Sequence, residues 1–152
     1  ATLYKTYGSK ENLIEAVLDA EGAAWRDWDL SRIDGWPGGP SEKLAGTLLI
    51  LEEWFRSARF FGCPFINAVG ESDKRDARYR EIALAHKRVV AARLVHMAEA
   101  AGAKDPSSLA HQIGILIDGA IVAAMVTGDA AVARHAHAAA GTIIASACTS
   151  AS

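Results

Sequence analysis

No stretch of this sequence alternates apolar and polar residues with the period of two that a half-buried β-strand requires. Apolar residues instead recur every three or four positions, and the helix-favouring residues alanine, leucine, glutamate and arginine dominate. Glycine and proline interrupt this periodicity at residues 34–40 and 60–65. The sequence therefore predicts an all-α protein with five longer helices and one short helix.

Several of the predicted helices carry recognisable start and stop signals. Asp105 followed by Pro106 is typical of a helix start, because the carboxylate can cap free N–H groups and proline suits the first turn. Gly102 and Gly128 are placed to end helices. The predicted helices run from Ser9 to about Leu30, Ser41 to Arg59, Pro64 to Gly70, Asp73 to Ala101, Pro106 to Thr127 and Asp129 to Ala147.

The first residues of the chain predict a joint between two helices. Gly8 can end one helix at positive φ, and Ser9 is a good N-cap for the next. Hydroxyl and ammonium groups cluster at this joint, and such groups are the usual donors to DNA phosphates. The candidates are Thr2, Tyr4, Lys5, Tyr7 and Lys10. Tyrosines that pack the joint beside solvated lysines would give the same pattern.

The motif Thr2-Leu-Tyr-x-x-Tyr-x-Ser-Lys-Glu-x-Leu13 resembles the junction between the DNA-binding and ligand-binding domains of TetR-family transcriptional regulators. Residues 61–71, residues 116–120 and the layout of the helices are also similar to that family. The resemblance implies that residues 1–8 are a remnant of a helix-turn-helix domain, most of which precedes residue 1. Residues 9–152 would then form the antiparallel helical bundle that binds ligand and dimerises.

Composition and charge favour the regulatory part of such a protein. The 152 residues suggest one domain, and a net charge of −2 is not the basic footprint of a complete nucleic-acid-binding domain. Cys63 and Cys148 lie far apart, which predicts a reduced, cytoplasmic protein. We find no signal-peptide pattern, and the longest apolar stretch, residues 113–126, predicts a buried helix rather than a membrane span.

Aromatic residues concentrate in the first half of the chain and suggest an apolar cavity between helices. Ligand pockets are mostly apolar with a few polar groups, and ordinary core packing is the alternative for any single aromatic. The candidate wall residues are Trp25, Trp28, Phe55, Phe61 and Phe65, and the candidate polar residues are Asn67, His86 and Asp118.

Asp118 stands between Ile117 and Gly119 in the most apolar predicted helix. A lone buried carboxylate is costly, so Asp118 needs a partner, a raised pKa or water. Three interpretations remain open: a structural pair with an arginine, a position facing the cavity where it selects a polar or cationic ligand group, or exposure to solvent.

The sequence contains no motif of a catalytic or metal site. We find no nucleophile elbow, no phosphate loop and no metal-ligand pair with a third partner. His135 and His137 are two positions apart, so on a helix they point in different directions. We therefore expect no enzymatic activity, no cofactor and no metal.

The last two predicted helices, from Pro106 to Ala147, are rich in alanine, glycine and isoleucine. Terminal helices that are apolar over much of their surface predict a four-helix dimer interface, unless the rest of the monomer covers them. The resemblance then implies a dimeric repressor that binds a small apolar or amphipathic effector and releases operator DNA, which residues 1–152 alone would not bind specifically. The alternative function is a stand-alone helical carrier or sensor of hydrophobic molecules.

Overall fold

The computed structural model describes the backbone of residues 2–148 and the side chains of residues 5–148. Within this part of the chain all regular structure is α-helical, which confirms the predicted fold class. The eight helices are α1 Thr2–Tyr7, α2 Lys10–Asp34, α3 Pro40–Leu49, α4 Leu51–Phe55, α5 Pro64–Glu71, α6 Arg78–Ala100, α7 Pro106–Thr127 and α8 Val132–Ala147.

The strongest start and stop signals of the sequence form the contacts expected of them. The side chain of Asp105 accepts a hydrogen bond from the backbone N–H of Ser108 at 2.9 Å, and Pro106 occupies the first turn of α7. Gly128 ends α7 in the left-handed conformation, with φ 71°. At the joint between α1 and α2, around Gly8 and Ser9 and called the front joint below, Ser9 Oγ accepts from the N–H of Asn12 at 3.1 Å.

Two predicted helix starts differ from the structure because short polar side chains close local turns. Asp73 accepts from the N–H of Arg75, so the long helix α6 begins at Arg78 rather than at Asp73. Asp129 accepts from the N–H of Ala131, so it closes the turn before α8 instead of capping it. The predicted second helix divides at Ile50 into α3 and α4.

The core lies where α3 and α4 meet α6, α7 and α8. Its largest fully buried side chains are Leu44, Leu48, Leu51, Leu109 and Ile113. The four residues between α7 and α8 make these helices an antiparallel hairpin. By length and composition α7 could also cross a membrane, which the sequence did not suggest. Core helices pass the same test, and α7 packs into the core along one face.

A buried ion pair joins α2 to α6. Asp29 is 5% exposed and binds the guanidinium of Arg93. Because a charge without a partner is costly in such a position, removing either side chain would destabilise the fold strongly. The local sequence pattern around Asp29 and Arg93 does not predict this pair.

Close packing of Trp36 against Gly46 gives a first testable prediction. A Cβ at Gly46 would lie 2.6 Å from the indole of Trp36, whereas a Cβ at Gly70 in α5 would meet no atom within 4 Å. We expect Gly46→Ala to destabilise the protein by about 1–3 kcal/mol through overpacking. Gly70→Ala should instead stabilise it, by up to about 1 kcal/mol, through helix propensity. Urea unfolding of both variants measures the difference, and equal effects would contradict the packing argument.

Candidate ligand cavity

A cavity of about 640 Å³ lies between α2, α4, α5, α6, α7 and the segment that joins α4 to α5. This volume falls within the range of about 300–1,000 Å³ that is usual for small-molecule sites. Most of its wall is apolar, and charged and polar groups are distributed among aromatic rings. The lining residues on α2 are Val17, Glu21, Ala24, Trp25 and Trp28, and those on α6 and α7 are His86, Lys87, Val90, Ile117, Asp118 and Ile121.

Seven of the eight residues that the sequence suggested for a pocket line this cavity: Trp25, Trp28, Phe61, Phe65, Asn67, His86 and Asp118. Phe55 does not. It is buried in the core, and its ring centroid lies 4.9 Å from that of Phe60. The preceding residue, Trp54, lines the cavity instead. Neighbouring positions on a helix point in different directions, so composition located the aromatic cluster but not which ring faces the cavity.

His86 is held by contacts on several sides. Its ring stacks on Phe65 with centroids 4.0 Å apart and planes inclined by 10°, and Trp25 lies edge-on at 6.1 Å. Arg26 Nη1 donates a hydrogen bond of 2.9 Å to Nδ1 of His86. Gly22 makes this packing possible, since a Cβ there would lie 2.8 Å from Phe65 and 3.2 Å from Nδ1.

These surroundings keep the imidazole neutral. Burial lowers the pKa of His86 to about 4, and the nearby charges of Arg26 and Lys87 act in the same direction, against the opposing effect of Asp118. A guanidinium can only donate, so Nδ1 must be the acceptor and the ring proton must be on Nε2. At neutral pH, His86 therefore carries an N–H donor and no charge.

Asp118 lines the cavity and pairs with Lys87 of α6. The partner is thus a lysine rather than the arginine that the sequence suggested, at a position that borders the cavity. Two other carboxylates of the lining also face cations: Glu21 lies 3.8 Å from Arg59, and Glu53 binds Arg32. All three ion pairs are partly exposed to solvent.

At the front joint, the structure describes only some of the residues that the sequence suggested for DNA contact. The side chains of Thr2 and Tyr4 lie outside the described residues. Lys5 and Lys10 are exposed, and Tyr7 is half-buried.

Asn12 connects the front joint to the rest of the protein. Its Nδ2 donates to the carbonyl of Tyr7 at 2.9 Å, and its Oδ1 accepts from Arg78 Nη2 at 2.7 Å. Arg78 also binds Glu15. The last residue of α1 is therefore linked through α2 to the start of α6, a long-range connection that the sequence pattern did not reveal.

Metal binding finds no support in the part of the chain that is described. No group of three histidine, cysteine, aspartate or glutamate side chains within residues 2–148 is arranged to hold an ion. Cys63 is buried beside the cavity, and Cys148 is half-buried; neither forms a disulfide within the described residues.

Residues 42–140 match the domain family described as "Tetracyclin repressor-like, C-terminal domain". This match covers more than half of the chain, which therefore belongs to the TetR family of transcriptional regulators. It confirms the family that the sequence resemblance indicated.

Three solved structures share the fold. SCO4454, a TetR-family transcriptional regulator from Streptomyces coelicolor, has a TM-score of 0.84 and 23% identity, covering 97% of this chain and 78% of its own. A protein from Streptomyces avermitilis assigned as a TetR transcriptional regulator has a TM-score of 0.79 and 24% identity, covering 97% of this chain and 79% of its own. A TetR-family regulator from Cytophaga hutchinsonii has a TM-score of 0.78 and 18% identity, covering 97% of this chain and 78% of its own. No curated protein sequence matches this chain.

The lowered pKa of His86 predicts a specific pH dependence of stability. An unfolded chain would titrate this histidine near 6.5, whereas the folded protein does so at about 4. Between these values the unfolded state binds more protons, so stability falls as the pH drops from 6.5 towards 4. Because solvent screens the half-buried ring, the loss attributable to His86 is on the order of 1–2 kcal/mol.

Urea unfolding at several pH values would test this dependence. His86→Asn should flatten the slope between pH 6.5 and 4, whatever its effect on stability at pH 7. His96→Asn is the matched control, because His96 lies exposed on the same helix. If both variants kept the slope of the original protein, another group would be responsible for it.

Proposed function

We propose that this chain is the regulatory domain of a TetR-family repressor, in which a small apolar or amphipathic effector occupies the 640 Å³ cavity and thereby releases operator DNA. The observation that carries this proposal is the cavity itself, an aromatic-walled space beside α2, the helix that begins at the front joint. Its size and mixed lining fit a drug-sized molecule.

The proposed mechanism uses α2 as the connecting element. Glu21, Trp25 and Trp28 line the cavity, and the same helix begins at the front joint. An occupant that binds one position of α2 more tightly than another shifts the population towards that position. Under the proposal, residues 1–8 belong to the DNA-binding domain. This shift therefore changes the spacing between the two DNA-binding domains of a dimer on a palindromic operator.

A matched pair of neighbouring alanines provides a test of effector binding. Ala24 lines the cavity, whereas Ala23 is exposed beside it and does not. We expect the neutral fluorescent probe N-phenyl-1-naphthylamine to bind the protein. Ala24→Phe fills part of the space and should weaken binding at least about tenfold, while Ala23→Phe should leave it unchanged. Equal binding by both variants would place the probe elsewhere.

The DNA step needs the helices that the family resemblance places before residue 1. In a protein that contains them, the probe should lower operator affinity, and Ala24→Phe should abolish this response. Residues 1–152 alone should bind DNA only weakly and without sequence preference, because phosphate contacts position a protein without reading bases. Fluorescence anisotropy titrations of labelled DNA would measure the operator affinity of both proteins. Probe binding without any effect on operator affinity would favour a carrier of hydrophobic molecules.

We further propose that the protein is a homodimer through α7 and α8. Ile115 and Val126 are 70% and 74% exposed, unusually high values for such side chains on a core helix. With two smaller neighbours they form one stripe, at Ile115, Gly119, Val122 and Val126, and α8 adds the exposed small residues Ala138, Gly141, Thr142 and Ala145. A self-complementary apolar face of this kind suits a four-helix interface.

The free cysteines are compatible with the proposed cytoplasmic location.

Sedimentation would test the dimer. Ile115→Arg introduces a charge without a partner into the proposed interface and should give a monomer at micromolar concentration. Leu84→Arg is the control, because Leu84 is an exposed apolar residue of α6, outside the proposed interface. A monomeric original protein, or a dimer that survives Ile115→Arg, would contradict this interface.

A further inference from the structure

The charges around the cavity are already neutralised in pairs. Its three lining carboxylates, Glu21, Glu53 and Asp118, each face a cation contributed by another helix or loop. A charged ligand would lose its hydration on entering and would find only groups that are already paired and partly solvated. Such pairs return little free energy, so neither a cation nor an anion gains enough to offset its desolvation.

Two of the hydrogen-bonding groups that remain are ring N–H donors. Nδ1 of His86 is occupied by Arg26, which leaves Nε2–H to donate, and Nε2 has no partner among the described residues. Trp25 Nε1 is buried and lacks an acceptor within the described part of the chain. Both side chains border the cavity. A buried donor without an acceptor is unfavourable, so an acceptor brought to Trp25 Nε1 would relieve a cost already present, whereas one brought to the Nε2–H of His86 would take the place of water.

The shape of the wall favours flat molecules. Phe65 and His86 are stacked nearly in parallel, and Trp28, Trp54 and Phe61 add further ring surface. Aromatic faces bind other rings through large contact areas and offset or edge-on geometry. Planarity, neutral charge and a hydrogen-bond acceptor are therefore the three ligand properties that these side chains can recognise together.

We infer that the cavity selects an uncharged, flat ring compound that carries at least one acceptor oxygen, such as a carbonyl, and that His86 and Trp25 determine this selectivity by donating to that oxygen. The inference rests on the proposed effector-binding function of the cavity. The neutral state of His86 at pH 7 supports it, because a protonated imidazole would instead attract anions.

Four naphthalene probes of nearly equal size separate these properties. They are 2-acetylnaphthalene, which has an acceptor, 2-ethylnaphthalene, which has none, the anion 2-naphthoate and the cation 2-naphthylmethylammonium. Equilibrium dialysis at pH 7.5 should give the tightest binding for 2-acetylnaphthalene, about tenfold tighter than for the ethyl compound, because one donor gains an acceptor. The two ions should bind more weakly than either neutral probe.

Variants connect the preference to the two donors. His86→Phe and Trp25→Phe should each reduce the ratio between acetyl and ethyl compounds while keeping measurable binding of 2-ethylnaphthalene. His96→Phe, an exposed position on the same helix, should leave the ratio unchanged. Because the ratio compares two ligands on one variant, a general loss of stability does not imitate the expected result.

The outcomes distinguish this inference from the function on which it rests. Tighter binding of either ion, equal binding of the acetyl and ethyl compounds, or an unchanged ratio in both variants would overturn the selectivity and leave effector binding intact. If none of the four probes bound, the proposed effector function of the cavity would fail together with the inference.

Discussion

Three arginine contacts attach α2 to α6, and the cavity depends on them. Arg78 binds α2 near its start, Arg26 binds His86 near the middle, and Arg93 binds α2 near its end. The fully buried hydrophobic residues of α2 are few, Leu18 and Ile33, and Ile14 and Trp25 add partly buried contacts with the core. Polar contacts of defined length fix the spacing of two helices without filling the space between them. The aromatic side chains beside this gap therefore form a wall rather than a solid core.

The elements that the sequence predicted well are those specified by neighbouring residues. Asp105 and Gly128 determine where α7 begins and ends, and a local cap is visible in the sequence as it is in the structure. The polar connections between α2 and α6 join residues sixty or more positions apart, and no periodic pattern encodes them. The same reason explains why Phe55 was expected at the cavity: the choice between it and Trp54 depends on how α4 is rotated against distant helices.

Helix α7 serves two surfaces at once. Ile117 and Asp118 line the cavity, whereas the exposed residues Ile115 and Val122, three and four positions from Asp118, belong to the proposed dimer interface. Side chains three and four positions apart share a helix face, so these two sets cannot move independently. If the interface forms as proposed, it holds one wall of the cavity fixed, and an occupant can displace α2 more easily than α7.

A second connection from the cavity to the front joint runs along α6. Two turns before His86 and Lys87, the same helix carries Arg78, whose guanidinium donates to Asn12, and Asn12 in turn donates to the carbonyl of Tyr7. In the proposed mechanism, an effector that moves α2 relative to α6 must lengthen or reorganise these hydrogen bonds, which weaken steeply when their geometry is distorted. The orientation of α1 is then determined by a few directional contacts at Asn12. A small displacement in the cavity can therefore alter the front joint without repacking the core, since the largest fully buried side chains lie on α3, α4 and α7.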